Sequence, residues 1–214
     1  MSLIQLFSEP TFEVELDPAI QGSLKPQYQQ SNNVNVTLPI RLFDLLKNLG
    51  CVQPRRTKPS FLKSLMDYGY LLERLYSTPE LKLKIQETRE QMGSETLQEV
   101  SELMGIGLSV TVVSKLYDVQ QSTIQKIIGV SSTRPDWKCC LKSGESLLVE
   151  AKGSSSRDTS KKQLTHAVEQ EQAQNGDIKI ATATILNETK ASSMKIKDPT
   201  IFPEDNNGNI INVI

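Results

Sequence analysis

The sequence is short of the residues that most often mark a site. Its 214 residues include one histidine, one tryptophan and three cysteines, and aromatics make up 5%. A single histidine, His166, excludes imidazole clusters and leaves any Ser/His/Asp triad dependent on one side chain. The polar helical stretch around it points to a surface residue. The cysteines include the adjacent pair Cys139 and Cys140, which would point to opposite faces of a strand, so no disulfide framework is expected and a reducing cytoplasm fits. No run is long and apolar enough to span a bilayer, and the opening MSLIQLFSEP lacks the basic and apolar parts of a secretion signal. No membrane partner is expected. Lys+Arg 24 against Asp+Glu 25 leaves a net charge of −1, so no global field attracts polyanions. No glycine-rich phosphate loop follows a strand, since Gly105-x-Gly107 lies in helical sequence, which disfavours a nucleotide-binding protein.

What the chain does have is local segregation. Residues 45–66 carry Lys47, Arg55, Arg56, Lys58 and Lys63 with no acid, whereas Glu95, Glu99 and Glu102 form an acidic stripe. At 37% hydrophobic content, one core with a helical extension is expected. Residues 1–92 read as a mainly helical region with a short β element. TFEVEL (11–16) and NVNVTL (33–38) alternate with period two, helices follow near 40–50 and from Ser60, and Thr78-Pro79-Glu80 has the form of a helix start. Residues 93–200 read as an α/β unit. A helix opened by Ser94 runs to about Tyr117, and strands are expected at 123–130, 136–141 and 146–153. A helix over 159–175 and a strand over 178–186 complete it. Residues 201–214 form a tail. The order α-β-β-β-α-β predicts a mixed sheet flanked by helices.

The chemistry centres on Val149-Glu150-Ala151-Lys152. On a strand, Glu150 and Lys152 share a face while Ala151 points into packing. A hairpin turning near Ser143-Gly144 brings Asp136 beside Glu150. Two converging carboxylates repel unless a cation lies between them, and a nearby ammonium can act on water or offset phosphoryl charge. Trp137 is expected in the core, and Ser154-Ser155-Ser156 reads as flexible. Gly153 reads as the point where the chain leaves the sheet.

Pro135-Asp136 and Glu150-x-Lys152, in that element order, resemble the PD-(D/E)xK, or restriction-endonuclease-like, superfamily over roughly residues 94–190. The resemblance implies a Mg²⁺-dependent DNA endonuclease, with Mn²⁺ as a substitute, of restriction or host-defence type. It implies catalysis by Asp136, Glu150, Lys152 and Glu102, and metal binding by Asp136, Glu150, Ala151 and Glu102. Arg55, Arg56, Lys58, Lys161, Lys162 and Gln163 are the candidate DNA contacts. A homodimer is compatible with it. The family's tyrosine, found four residues after a helical glutamine in recombination-type members, is replaced by Ala167. The alternative function is a catalytically inactive module of the same fold that binds nucleic acid or protein.

Overall fold

The computed structural model describes residues 7–29, 35–52, 61–77, 79–128, 135–172 and 176–199. Nine strands are present among them: β1 (Thr11–Leu16), β2 (Asn35–Pro39), β3 (Leu75–Ser77), β4 (Leu81–Leu83), β5 (Gln125–Lys126), β6 (Trp137–Cys140), β7 (Ser146–Ser154), β8 (Ile178–Ile185) and β9 (Ser193–Lys197). The helices are α1 (Pro26–Gln29), α2 (Leu42–Cys51), α3 (Phe61–Tyr68), α4 (Tyr70–Glu73), α5 (Ile85–Leu116) and α6 (Arg157–Gln172). Seven strands form one mixed sheet in the order β2-β1-β9-β8-β7-β6-β5, and β3 and β4 form a small hairpin beside it. The α/β class and mixed sheet are as expected. The N-terminal strands belong to that same sheet, because β1 runs parallel to β9.

Period-two patterning explains the edges. Phe12, Val14 and Leu16 are buried while Thr11, Glu13 and Glu15 face water, so β1 has one dry face. The strand β9 was not legible as such. Its Met194 and Ile196 alternate with lysines and are buried only because β8 and β1 flank them.

Two local readings need correction. The helix start expected at Thr78-Pro79-Glu80 does not form: Thr78 lies outside the described residues, and Pro79 and Glu80 lead into β4 instead. Leu81 and Leu83 are fully buried on either side of half-buried Lys82, and the Pro79 carbonyl accepts hydrogen bonds from the Thr11 N–H and Oγ1. Tertiary pairing overrides the capping signal. Of the strand expected at 123–130, residues 129 and 130 lie outside the described residues and only Gln125–Lys126 is strand among the rest, because a 3-10 turn takes Gln121–Thr123 and its Thr123 Oγ1 accepts from the Cys140 N–H. The helix expected to open at Ser94 and run to about Tyr117 is present, and a further helical stretch from Ile85 precedes it; the two make up α5, joined across a kink at Gly93, at φ 87 and ψ 170. Only a residue without Cβ takes that conformation readily.

The two long helices cover opposite faces of β7 and β8. Thr182 and Gly153 face α5: Thr182 Oγ1 lies 3.0 Å from Ser109 Oγ, and a Cβ on Gly153 would stand 2.0 Å from the Ser101 carbonyl oxygen. Gly153 is therefore the penultimate residue of β7, still paired with Thr184, and its missing side chain admits α5; the chain leaves the sheet one residue later, after Ser154. Gly105 meets it from the helix side, where a Cβ would lie 2.5 Å from Gly153 Cα. Ala181 and Ala183 pack with Leu164, Ala167 and Val168 of α6. Their register partners are Glu150 and Lys152, so those two side chains share the α6 face.

Candidate active site

Ladder pairing brings the candidate residues together. Antiparallel β6 and β7 pair Trp137 with Val149, and the Asp136 N–H continues the ladder by donating to the Val149 carbonyl at 3.1 Å. Beyond that point no described residue pairs with β7 on its β6 side. The Asp136 side chain bonds there instead: its Oδ2 accepts the Ala151 N–H at 2.9 Å. In an extended strand a residue's N–H and C=O leave by the same edge, so the Ala151 carbonyl also points to the Asp136 side. The Glu150 carbonyl leaves by the other edge, where Thr182 Oγ1 lies 3.2 Å away.

Glu150 is 1% exposed. Its Oε1 accepts from Lys152 Nζ, and its Oε2 is buried with no hydrogen-bond partner. The Asp136 carboxyl lies within hydrogen-bonding reach, but two ionised carboxylates are both acceptors and give each other nothing. Burial first, and then the Asp136 charge, push the Glu150 pKa up to about 7, against a lowering by Lys152. An acid this buried, with an oxygen that no donor reaches, is incomplete as a structural ion pair. A hard cation would meet that need, and Asp136, Glu150 and the Ala151 carbonyl could offer it oxygen donors of the kind Mg²⁺ takes.

Other expected site residues lie apart. Among the described residues no three His, Cys, Asp or Glu side chains gather as a metal-binding group, so Glu102 does not join the pair in this structure. It is exposed on α5 and accepts a hydrogen bond from Gln98 Nε2 at 3.0 Å. Lys161 and Lys162 are exposed on α6. Gln163 is half-buried, and its Oε1 is buried with no hydrogen-bond partner. It stands next to Leu164 on the helix that covers the Glu150 face. Arg55, Arg56 and Lys58 lie outside the described residues. Trp137 is fully buried, as expected for a core residue, and His166 is exposed beside Glu169.

Two supports went unrecognised in the sequence. A hydroxyl pair, Ser109 and Thr182, ties α5 to the main chain at Glu150; a buried threonine amid the alternating Ala-Thr of β8 was its only trace. The Ser154–Ser156 turn, expected to be flexible, is hydrogen-bonded. Ser154 Oγ bonds the Ser156 carbonyl and receives the Ser156 N–H, and Ser156 in turn takes N–H bonds from the first turn of α6.

Comparison with known protein families, with curated proteins and with solved structures found no match to this chain. Among the described residues, no helix is long and apolar enough to cross a membrane.

Proposed function

We propose that this chain is a metal-dependent nuclease that hydrolyses phosphodiester bonds in DNA. In this reading α5, β5 to β8 and α6 form a restriction-endonuclease-like core. The reading is supported by the neighbouring order β5-β6-β7-β8 and by the parallel β7–α6–β8 crossover. The observation that carries it is the buried Glu150 carboxylate with its undonated Oε2, set against Asp136 where the described β6–β7 ladder ends.

Asp136 and Glu150, with the Ala151 carbonyl, would hold Mg²⁺ or Mn²⁺. The bound cation supplies Lewis acidity and a more acidic water. Asp136 is oriented for this by the Ala151 N–H, and Glu150 by the strand pairing on either side of it. Lys152 neutralises Glu150 in the free protein. With Glu150 holding a cation, the Lys152 ammonium would be free to orient a water or to offset charge on a phosphoryl oxygen. Gln163, with its unused carbonyl, is the α6 group available to accept a hydrogen bond from substrate or water.

Incubating plasmid and linear DNA with Mg²⁺, Mn²⁺ or EDTA tests this. Cleavage is expected with either metal and none with EDTA, and loss of cleavage in Lys152→Ala ties it to this site. Cleavage that persists in EDTA would overturn the proposal. The second reading, an inactive binding module of the same fold, draws on the direct Lys152–Glu150 ion pair, which in that case is permanent. It predicts DNA binding with no cleavage under any metal.

A further inference from the structure

A cavity of about 180 Å³ opens between α2 and the last turns of α5. Its α5 residues begin ten positions after Ser101, the point where the helix crosses β7, or about 15 Å along the axis. It is thus separate from the carboxylate pair. Each helix contributes residues spaced i, i+3, i+4 on one face: Asp44, Lys47 and Asn48 from α2, and Thr111, Ser114 and Lys115 from α5. Gln121 closes one side.

This polar lining interrupts an apolar interface. Leu42, Leu45, Leu46 and Leu49 of α2 are buried, and so are Val110, Val112 and Val113 of α5. Asn48 is nonetheless 4% exposed and Thr111 1%, joined by an Asn48 Nδ2 to Thr111 Oγ1 hydrogen bond of 3.1 Å. Burying an amide and a hydroxyl where leucine would pack carries a desolvation cost that packing alone does not justify. Ser114 Oγ, in the same wall, is buried with no hydrogen-bond partner. Lys47 is exposed and Lys115 half-buried, and neither forms an ion pair among the described residues. The open carbonyls at the end of α5 would repel an anion, but Lys25 Nζ donates to the Ser114 and Lys115 carbonyls at 3.1 and 2.9 Å and counters them.

We propose that this cavity binds a small sugar phosphate, either free or at the 5′ end of a nucleic acid. The phosphate lies between the ammonium groups of Lys47 and Lys115. The sugar hydroxyls meet Ser114 Oγ and the Asp44 carboxylate, the one group in the lining that only accepts. Two cations alone would suit any anion; the carboxylate and the unpaired hydroxyl beside them select one that also carries hydroxyl donors.

Calorimetric titration of the full chain with ribose 5-phosphate, ribose and inorganic phosphate tests this. Ribose 5-phosphate is expected to bind at least about tenfold tighter than either fragment. The Lys47→Ala/Lys115→Ala double variant should lose at least about tenfold in that affinity and Ser114→Ala a few-fold, with unchanged circular dichroism. A 5′-phosphorylated trinucleotide separates the sources: tighter binding than ribose 5-phosphate assigns the site to nucleic-acid ends, weaker binding to a free metabolite. No saturable binding of ribose 5-phosphate up to about 10 mM, or binding that both variants leave unchanged, would overturn the proposal. None of these outcomes depends on nuclease activity.

Discussion

Alternate residues of β7 face two different environments. On the α5 side, Val149, Ala151 and Gly153 meet a helix backbone so close that Gly153 has no room for a methyl group. On the α6 side, Glu150 and Lys152 carry charge into a region where one carboxylate oxygen has no donor. The first face is matched atom to atom and the second is left unfinished. Rigid packing on one side of a strand is what allows unsatisfied groups to be held in place on the other, and such pre-organisation is what a reactive centre requires.

The largest expected effect breaks the packed face. Gly153→Ala inserts a Cβ 2.0 Å from the Ser101 carbonyl and 2.8 Å from Gly105 Cα, both main-chain atoms that cannot rotate away. Thermal or urea unfolding should show a loss of at least about 3 kcal/mol. A change under about 1 kcal/mol would mean that α5 and β7 are not in the contact described.

On the charged face, Asp136→Ala or Glu150→Ala should each abolish Mn²⁺ binding by calorimetry, a loss of more than about 100-fold, while folding is retained. If both variants bind as the parent does, the metal site is elsewhere. Lys152→Ala should lower turnover by about 10²–10⁴-fold and leave DNA affinity within a few-fold. Equal losses in turnover and affinity would make Lys152 a phosphate-gripping residue.

Glu150 also makes the comparison pH-dependent. Its ordinary carboxyl pKa of 4.5 is raised to about 7 by burial and then by Asp136. Between those values the folded, metal-free protein holds a proton that the unfolded chain has released. Stability therefore falls as pH rises through that window and levels off above it. Glu150→Gln, which mimics the protonated form, should raise stability in EDTA by roughly 1–3 kcal/mol at pH 8 and by little at pH 5. A variant equally stable or less stable than the parent at pH 8 would show that Glu150 is well solvated or well paired. Mn²⁺ affinity should weaken as pH drops below about 7, since the cation then displaces a proton.

The parts of this arrangement that were legible in the sequence depend on nearest neighbours. Strand alternation put Glu150 and Lys152 on one face, and Gly144, at φ +100, makes the turn that carries Asp136 back to β7. What could not be read depends on distant segments. The strand β9 needs β1 and β8 on either side, the start of β4 is set by Thr11, and Gly153 takes its meaning from a helix about fifty residues earlier. Burial of Glu150 belongs to the same class, because a charged residue two positions from a lysine gives no local sign of being desolvated. Neither did the paired polar triplets of α2 and α5, each of which reads alone as an ordinary helix surface.

The smallest expected effect concerns Glu102, which the packed face carries but the charged face would have to use. Ser101 and Gly105 of α5 touch Gly153, so Glu102 starts from a helix position beside the C-terminal end of β7. Glu95 lies six residues before Ser101, about 9 Å back along the axis, and Glu99 lies nearer but close enough to Tyr70 to raise that phenol's pKa after burial has done so. To act on the carboxylate pair, the Glu102 side chain would have to release Gln98 and pass around β7 beyond the described β6–β7 ladder, which ends at Asp136. With no third carboxylate gathered there among the described residues, Glu102 would act on a bound cation through water rather than as a direct ligand. Glu102→Gln is therefore expected to lower metal-dependent cleavage by about tenfold, less than any change to Asp136, Glu150 or Lys152, with Glu95→Gln unchanged. Equal rates for the two variants in the same cleavage assay would confine the site to β6 and β7 and leave α5 a purely packing element.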